Sequence, residues 1–276
     1  MYNFGAKLEY MRYSVITINY NDSPGLRRTI ESVVSQTAAD KEYVIIDGGS
    51  TDGSVGVIKQ YAAKIDYWVS ESDRGIYHAM NKGVAHAHGD YCVFMNAGDI
   101  FYDDTVLERI SRTGLGSDII VGKVFRGDSS SLMSPPPVGD ISLYHLYAAA
   151  IPHQGAFIST SLLRRHPYDE TLRISSDWKF FLQAIILDNC TMRYVDEPVA
   201  RYDLGGVSSA NPELMRAEKE QVLEQLFPPR VLADYRHMKE SECLTQTLTP
   251  RLRKSYRIDK LLYRIGKTLL KLRRDE

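Results

Sequence analysis

Apolar runs of strand length recur along the first half of the chain, each followed by a stretch of helical periodicity. Tyr13–Tyr20 (YSVITINY) is a β-branched run that stops at the turn-like NDSPG, after which Leu26, Ile30, Val33 and Val34 fall at helical spacing. Tyr43–Asp47 (YVIID) predicts a second strand, leading into GGSTDGS and a helix with Val57, Ile58 and Tyr61 on one side. Asp66–Ser70 predicts a third strand and IYHAMNKGVAHA a further helix. YCVFMN predicts a fourth strand, ahead of a short helix near Thr105–Ser111 that Asp103 and Asp104 would cap, and DIIVG a fifth at Asp118–Gly122. Such alternation implies an α/β class with a mostly parallel sheet flanked by helices. The Ser/Pro-rich Ser129–Asp140 reads as a loop and a coarse boundary. Beyond it, helices are predicted near Ser161–Arg165, Asp177–Leu187 and Glu213–Leu226, with only short strands such as MRYVD. The expected organisation is one domain over 1–210, with a nucleotide-binding-style half about 12–125 and a substrate-selecting half about 140–210. Residues 211–276 would form a helical C-terminal extension.

Composition changes this picture little. Hydrophobic residues make up 43% and charged residues 25% of 276, which is ordinary for a globular chain. Net charge is -1, but it is unevenly spread: from Pro250 onward ten Lys/Arg face three acids, leaving about -8 on the rest. Cys92, Cys190 and Cys243 are odd in number and form no CxxC, so neither a disulfide framework nor a zinc site is expected. No stretch reaches ~20 apolar residues and the start lacks a signal-peptide core, so a cytoplasmic location is expected.

In open parallel sheets, ligands bind beyond the carboxyl ends of the strands. Four consecutive predicted strands deliver polar residues there: NYNDS, DGGSTDG, SESDRG and NAGD. Asp, Asn and Gly are also ordinary turn and capping residues, so each alone is equally a turn; together they point to a site. Asp47 directly ends its strand, where a carboxylate can reach a base or ribose, while Thr51 or Asp52 can cap the next helix. Neither the GxxxxGK[ST] nor the GxGxxG pattern is present. Asp177, in RISSDWKFFL, reads either as a carboxylate general base or as a helix N-terminal Asp favoured by the dipole.

SVITINYN, VIIDGGSTDGS, SESDRGIYHAMNKG, FMNAGD, PHQGAF and ISSDWKFF, in this order over roughly Ser14–Ser209, resemble the successive motifs of family 2 glycosyltransferases with the GT-A fold. The DxGIYDAMNKG, HQ, SSD and GGVS subset is similar to bacterial colanic-acid, capsule and lipopolysaccharide transferases. The resemblance implies a Rossmann-like GT-A domain and an inverting transfer of a sugar from a nucleotide-diphosphate donor, a UDP-sugar, to a saccharide or lipid-linked acceptor. Asp47 would contact the base, Asp73 would hold the nucleoside, and Tyr20 and Asn21 would approach the base. Asn96, Ala97 and Gly98 would border the donor, and Asp99 would ligate a divalent Mg²⁺ or Mn²⁺ on the diphosphate. Arg74 and Lys82 would screen diphosphate charge, although an exposed Arg and a solvated helix Lys account for them equally well. His153 and Gln154 would touch acceptor or phosphate, with Trp178 beside the acceptor, and Asp177 would be the catalytic base. The chain departs from the family pattern in having one carboxylate at Asn96–Asp99 and in carrying His78 where the motif has Asp.

Ile258, Leu261, Leu262, Ile265, Leu269 and Leu272 recur at helical spacing among Lys and Arg. Such a basic amphipathic helix suits either an anionic membrane surface, making the protein peripheral on the inner face of the plasma membrane, or packing on the body. No nucleic-acid partner is expected, because the body is acidic and shows no recognition motif. Two other readings are a non-catalytic nucleotide-sugar binder or scaffold, and a sugar nucleotidyltransferase. The latter would carry a Gly-rich basic loop after the first strand, which NYNDSPG lacks.

Overall fold

A computed structural model describes residues 13–38, 40–114, 116–133, 141–203, 205 and 211–252, the last twelve of these by backbone only. The basic tail beyond 252 and most of the GGVS motif (205–208) lie outside the described residues.

The N-terminal half alternates as its periodicity predicts. Strand β1 (Tyr13–Asn19) is followed by helix α1 (Ser23–Val34), β2 (Lys41–Asp47) by α2 (Ser54–Gln60), and β3 (Tyr67–Ser70) by α3 (Ile76–His86). Every residue of β1 is buried, as are all of β2 but Lys41, so both strands are covered on two faces. Helix α1 starts where Asp22 accepts the Gly25 N–H at 2.9 Å and places Leu26, Ile30 and Val33 in the core. Asp52 accepts the Ser54 N–H at 3.0 Å and the Ser23 N–H at 2.7 Å, so it starts α2 and ties it to α1. Strand β4 (Tyr91–Phe94) leads through β5 (Ile100–Phe101) to α4 (Val106–Arg112). Asp103 serves that helix start through Thr105 and Arg109, whereas Asp104 accepts from Ser35 Oγ at 2.8 Å and ties the turn to α1 instead.

The second half contains β6 (Ile119–Arg126), α5 (Leu143–Ala148), β7 (Ala156–Ser159), α6 (Thr160–Arg165) and α7 (Ser176–Phe181). A π-helical turn, Leu182–Leu187, extends α7. Strand β8 (Met192–Tyr202), α8 (Pro212–Leu226) and α9 (Pro229–Leu252) complete the described chain. The eight strands form one sheet in the order β3-β2-β1-β4-β7-β6-β8-β5. Its first four strands are parallel, but β7 runs antiparallel to both β4 and β6, and β5 antiparallel to β8. The expectation of short strands after residue 140 is corrected by β8, which runs eleven residues with register shifts against β6. Its alternation is broken there, which hid its length. Contacts divide the chain into two compact units, Met1–Val222 and Leu223–Glu276. Among the described residues no helix is long and apolar enough to cross a membrane.

Candidate active site

Register brings Asn19, Asp47 and Ser70 side by side at the carboxyl ends of β1, β2 and β3. Asp47 is fully buried and accepts four hydrogen bonds: Asn19 Nδ2 at 2.6 Å, Ser50 N–H at 2.9 Å, and the Ser50 and Ser70 hydroxyls at 2.6 Å. Burial alone would raise its pKa, but these donors outweigh it and hold the carboxyl below its ordinary value. Asp47 thus pins three strand ends and the 48–53 loop. Asn21, at φ 52°, accepts the Thr51 N–H at 2.8 Å and gives its own N–H to Ser50 Oγ at 2.8 Å, zipping the first two loops together. Tyr20 is 70% exposed, and its ring lies beside Gly48 together with the Asp73 carboxylate.

Asp73 accepts from Lys82 Nζ at 2.7 Å and pairs with His78 Nδ1 at 3.0 Å. Lys82 also reaches Glu71 at 2.8 Å, and Arg74 pairs with Glu170 at 2.6 Å. Both cations predicted to face a diphosphate are therefore paired with carboxylates. His78, the departure from the family motif, supports Asp73.

The Asn96–Asp99 turn continues β4, with Met95 N–H on the Ile16 carbonyl and Ala97 N–H on the Ile18 carbonyl at 2.9 and 3.0 Å. Gly98 turns the chain at φ 98°, and a Cβ there would lie 2.8 Å from Asp203 Oδ2. Thr29 fastens the turn to α1 by accepting the Gly98 N–H at 3.0 Å and donating to the Asp99 carbonyl at 2.7 Å. The Asp99 side chain is 4% exposed. Burial pushes it up to about 6, against the Asp203 N–H bond at 2.9 Å, the nearby His153 and the Gln154 side-chain bond; the Asp203 charge adds to the rise.

The turn His153–Gly155 sits against β6 because a side chain on Gly155 would meet Val124 Cγ2 at 2.6 Å and the Gly122 carbonyl at 2.7 Å. His153 Nδ1 lies 2.9 Å from Asp177 Oδ2, and its Nε2 lies 3.2 Å from Asn96 Nδ2. Asp177 Oδ1 accepts from Tyr77 Oη at 3.0 Å and from the Trp178 N–H at 2.9 Å. Burial disfavours both charges, but the pairing outweighs it, lowering the Asp177 pKa and raising that of His153. Glu218 holds the preceding loop by accepting the Arg173 and Ile174 N–H groups at 2.7 and 3.1 Å. Trp178 is buried and donates Nε1–H to the Leu146 carbonyl at 2.7 Å.

One cavity of about 430 Å³ gathers Asn96, Ala97, Asp99, His153, Gln154, Asp177, Trp178 and Asp203, with Tyr77, Met80 and Ile151 among its apolar lining. Sites on five separate elements thus converge. Tyr20, Asn21, Asp47, Asp73, Arg74 and Lys82 cluster at the β1–β3 ends and do not line it. Asp203 and Tyr77 are site residues that motif reading missed. Asp203 could have been found by the strand-end rule had β8 been recognised through Tyr202.

Residues 14–165 match the family model described as glycosyl transferase family 2, more than half of the chain. The chain belongs to glycosyl transferase family 2. An uncharacterized glycosyltransferase of Mycobacterium tuberculosis is 34% identical over 212 residues, 71% of this chain and 76% of that protein. A PGL/p-HBAD biosynthesis glycosyltransferase of the same species is 29% identical over 207 residues, 71% of this chain and 79% of that one. Staphylococcus aureus TarS 1-349 with UDP-GlcNAc shares the fold at TM-score 0.62 and 18% identity, over 77% of this chain and 65% of that one. Mannosyltransferase PcManGT from Pyrobaculum calidifontis, with GDP-Man and Mn²⁺, does so at TM-score 0.61 and 16% identity, over 94% and 81%. The glycosyltransferase therefore has the GT-A architecture expected from its motifs.

Proposed function

We propose that this glycosyltransferase moves a sugar from a nucleotide-diphosphate donor, a UDP-sugar, to a hydroxyl of a saccharide or lipid-linked acceptor, with inversion at C1. The observation that carries the reading is the shared cavity: Asp99 closes the β4 end of it and Asp177 lines it with a carboxylate of low pKa. Solved structures of this fold are complexes with UDP-GlcNAc or GDP-Man, which supports a nucleotide sugar as the donor. One mycobacterial relative is named for PGL/p-HBAD biosynthesis, and likeness to it supports our placing the transfer in the building of a bacterial surface glycan.

The donor set beside Asp99 fits a hard divalent cation. Asp203, whose Oδ2 pairs with Arg28 at 2.9 Å, brings a second carboxylate to the cavity lining, and the Gln154 Oε1 atom is buried without a hydrogen-bond partner. Among the described residues no cluster of three or more His, Cys, Asp or Glu could hold a metal, so the diphosphate and water would supply the remaining ligands. When bound, Mg²⁺ or Mn²⁺ would neutralise the charge that gathers on the leaving diphosphate. Asp177 accepts the acceptor hydroxyl's proton as the oxygen attacks C1, opposite the departing group. Asp47, with its acceptor positions already filled, would give up one hydroxyl partner to meet the base edge.

Asp177→Asn tests the reading. UDP binding, followed by calorimetry, should stay within about twofold, while transfer and donor hydrolysis fall by about 10²–10⁴-fold. Normal turnover by this variant would sink the assignment of the base.

A further inference from the structure

The geometry points to His153 as a positioning residue that works through Asp177, not as a contact for acceptor or phosphate; we propose this on the basis of the reading of Asp177 as the base. A carboxylate offers about four acceptor positions. On Asp177 three are occupied: Oδ1 by Tyr77 Oη and the Trp178 N–H, and Oδ2 by His153 Nδ1. One position on Oδ2 remains, on a residue that lines the cavity. An acceptor hydroxyl arriving through the cavity has that single place to bind.

His153 holds this arrangement from both of its nitrogens. With Asn96 Nδ2 donating to Nε2, the neutral ring carries its proton on Nδ1 and donates it to Asp177. The Asn96 Oδ1 atom is buried and has no hydrogen-bond partner. A half-turn of the amide would put that oxygen on Nε2 and suit a doubly protonated ring. In either state Nδ1 is a donor, so Asp177 Oδ2 keeps its partner and the acceptor's proton goes to the carboxylate. The Nε2 atom is spent on Asn96, in the same turn as Asp99, and is not left for substrate. The chain Asp177–His153–Asn96 thereby links the base to the turn that carries the metal carboxylate, across 81 residues of sequence from Asn96 to Asp177.

The roles of the two ring nitrogens separate by substitution. The Asn amide nitrogen can replace Nδ1, whereas a Gln amide reaches the place of Nε2. The full chain would be assayed with the nucleotide sugar it hydrolyses fastest from a panel of UDP- and GDP-sugars in Mn²⁺, with UDP binding as the control for folding. His153→Ala should lower kcat by about 10²-fold, the loss expected for a misplaced catalytic group, with donor KM and UDP affinity unchanged. His153→Asn should recover most of kcat, and His153→Gln should not. In an Asp177→Asn background, His153→Ala should cost nothing further, because both act on one step. Recovery by Gln and not by Asn, or a raised KM at normal kcat, would overturn the proposal in favour of direct substrate contact. If His153→Ala fails to bind UDP, the Asn and Gln variants decide between the same two outcomes. An inactive Asp177→Asn beside a fully active His153→Ala would remove this inference and leave the base intact. An active Asp177→Asn would remove the base itself.

Discussion

Asp99 should cost the metal-free protein stability at neutral pH, and replacing it should return that stability. Its carboxyl is 4% exposed and its pKa is pushed from 3.8 to about 6, chiefly by burial. A raised pKa means that the folded state binds the proton more tightly than the unfolded chain. Stability is therefore present below the unfolded value and is lost as pH rises from about 4 through about 6. That rise corresponds to about 3 kcal/mol at pH 8, and about half of that at pH 5. Asp99→Asn removes the charge in nearly the same shape. Its carbonyl can still accept the Asp203 N–H, and a half-turn of the Gln154 amide, which now donates to Asp99, would bring the unpartnered Oε1 onto the new amide. Urea unfolding in EDTA at both pH values should find the variant more stable by about 3 kcal/mol at pH 8 and by about half of that at pH 5. The same variant should lose metal-supported turnover. Equal stability of the two proteins at pH 8, or a gain that does not change with pH, would refute a strained buried carboxylate at this position.

Glu42 should show the opposite pH dependence. It is buried, yet the Ser14 hydroxyl, the His88 and Gly89 N–H groups and the His88 ring outweigh burial and hold its pKa down. A depressed pKa gives stability above the unfolded value that is lost as pH falls, so Glu42→Gln should cost about 1–3 kcal/mol at pH 7 and less at pH 4 by urea unfolding. Gly155→Ala should cost about 1–3 kcal/mol by overpacking, because its Cβ would meet Val124 and the Gly122 carbonyl at 2.6 and 2.7 Å; a melting temperature equal to wild type would contradict the close approach.

Local pattern sufficed for much of this protein. The period-2 and period-3.6 runs from Tyr13 to Gly122 determined their elements, because a strand or helix there buries what its own periodicity offers. The strand-end rule located Asp47, Asp73 and Asp99, since a parallel sheet delivers every such residue to one edge. The ordered motifs also gave the family, which the match over residues 14–165 bears out. Tertiary structure decided what those side chains touch. Whether Lys82 faces a phosphate or Asp73 depends on a rotamer set by Glu71 and Asp73. The antiparallel β7 follows from pairing with β4 and β6, strands distant in sequence, and no local period encodes the direction of a partner. The environment of Asp177 depends on Tyr77, 100 residues away, and on His153, 24 residues away. The single carboxylate of NAGD meets the Asp203 N–H only because β8, eleven residues long, pairs with β6 as far as Tyr202 and ends at the same turn. Sequence determined which chemistry is carried; the long-range packing of the sheet determined which groups act together.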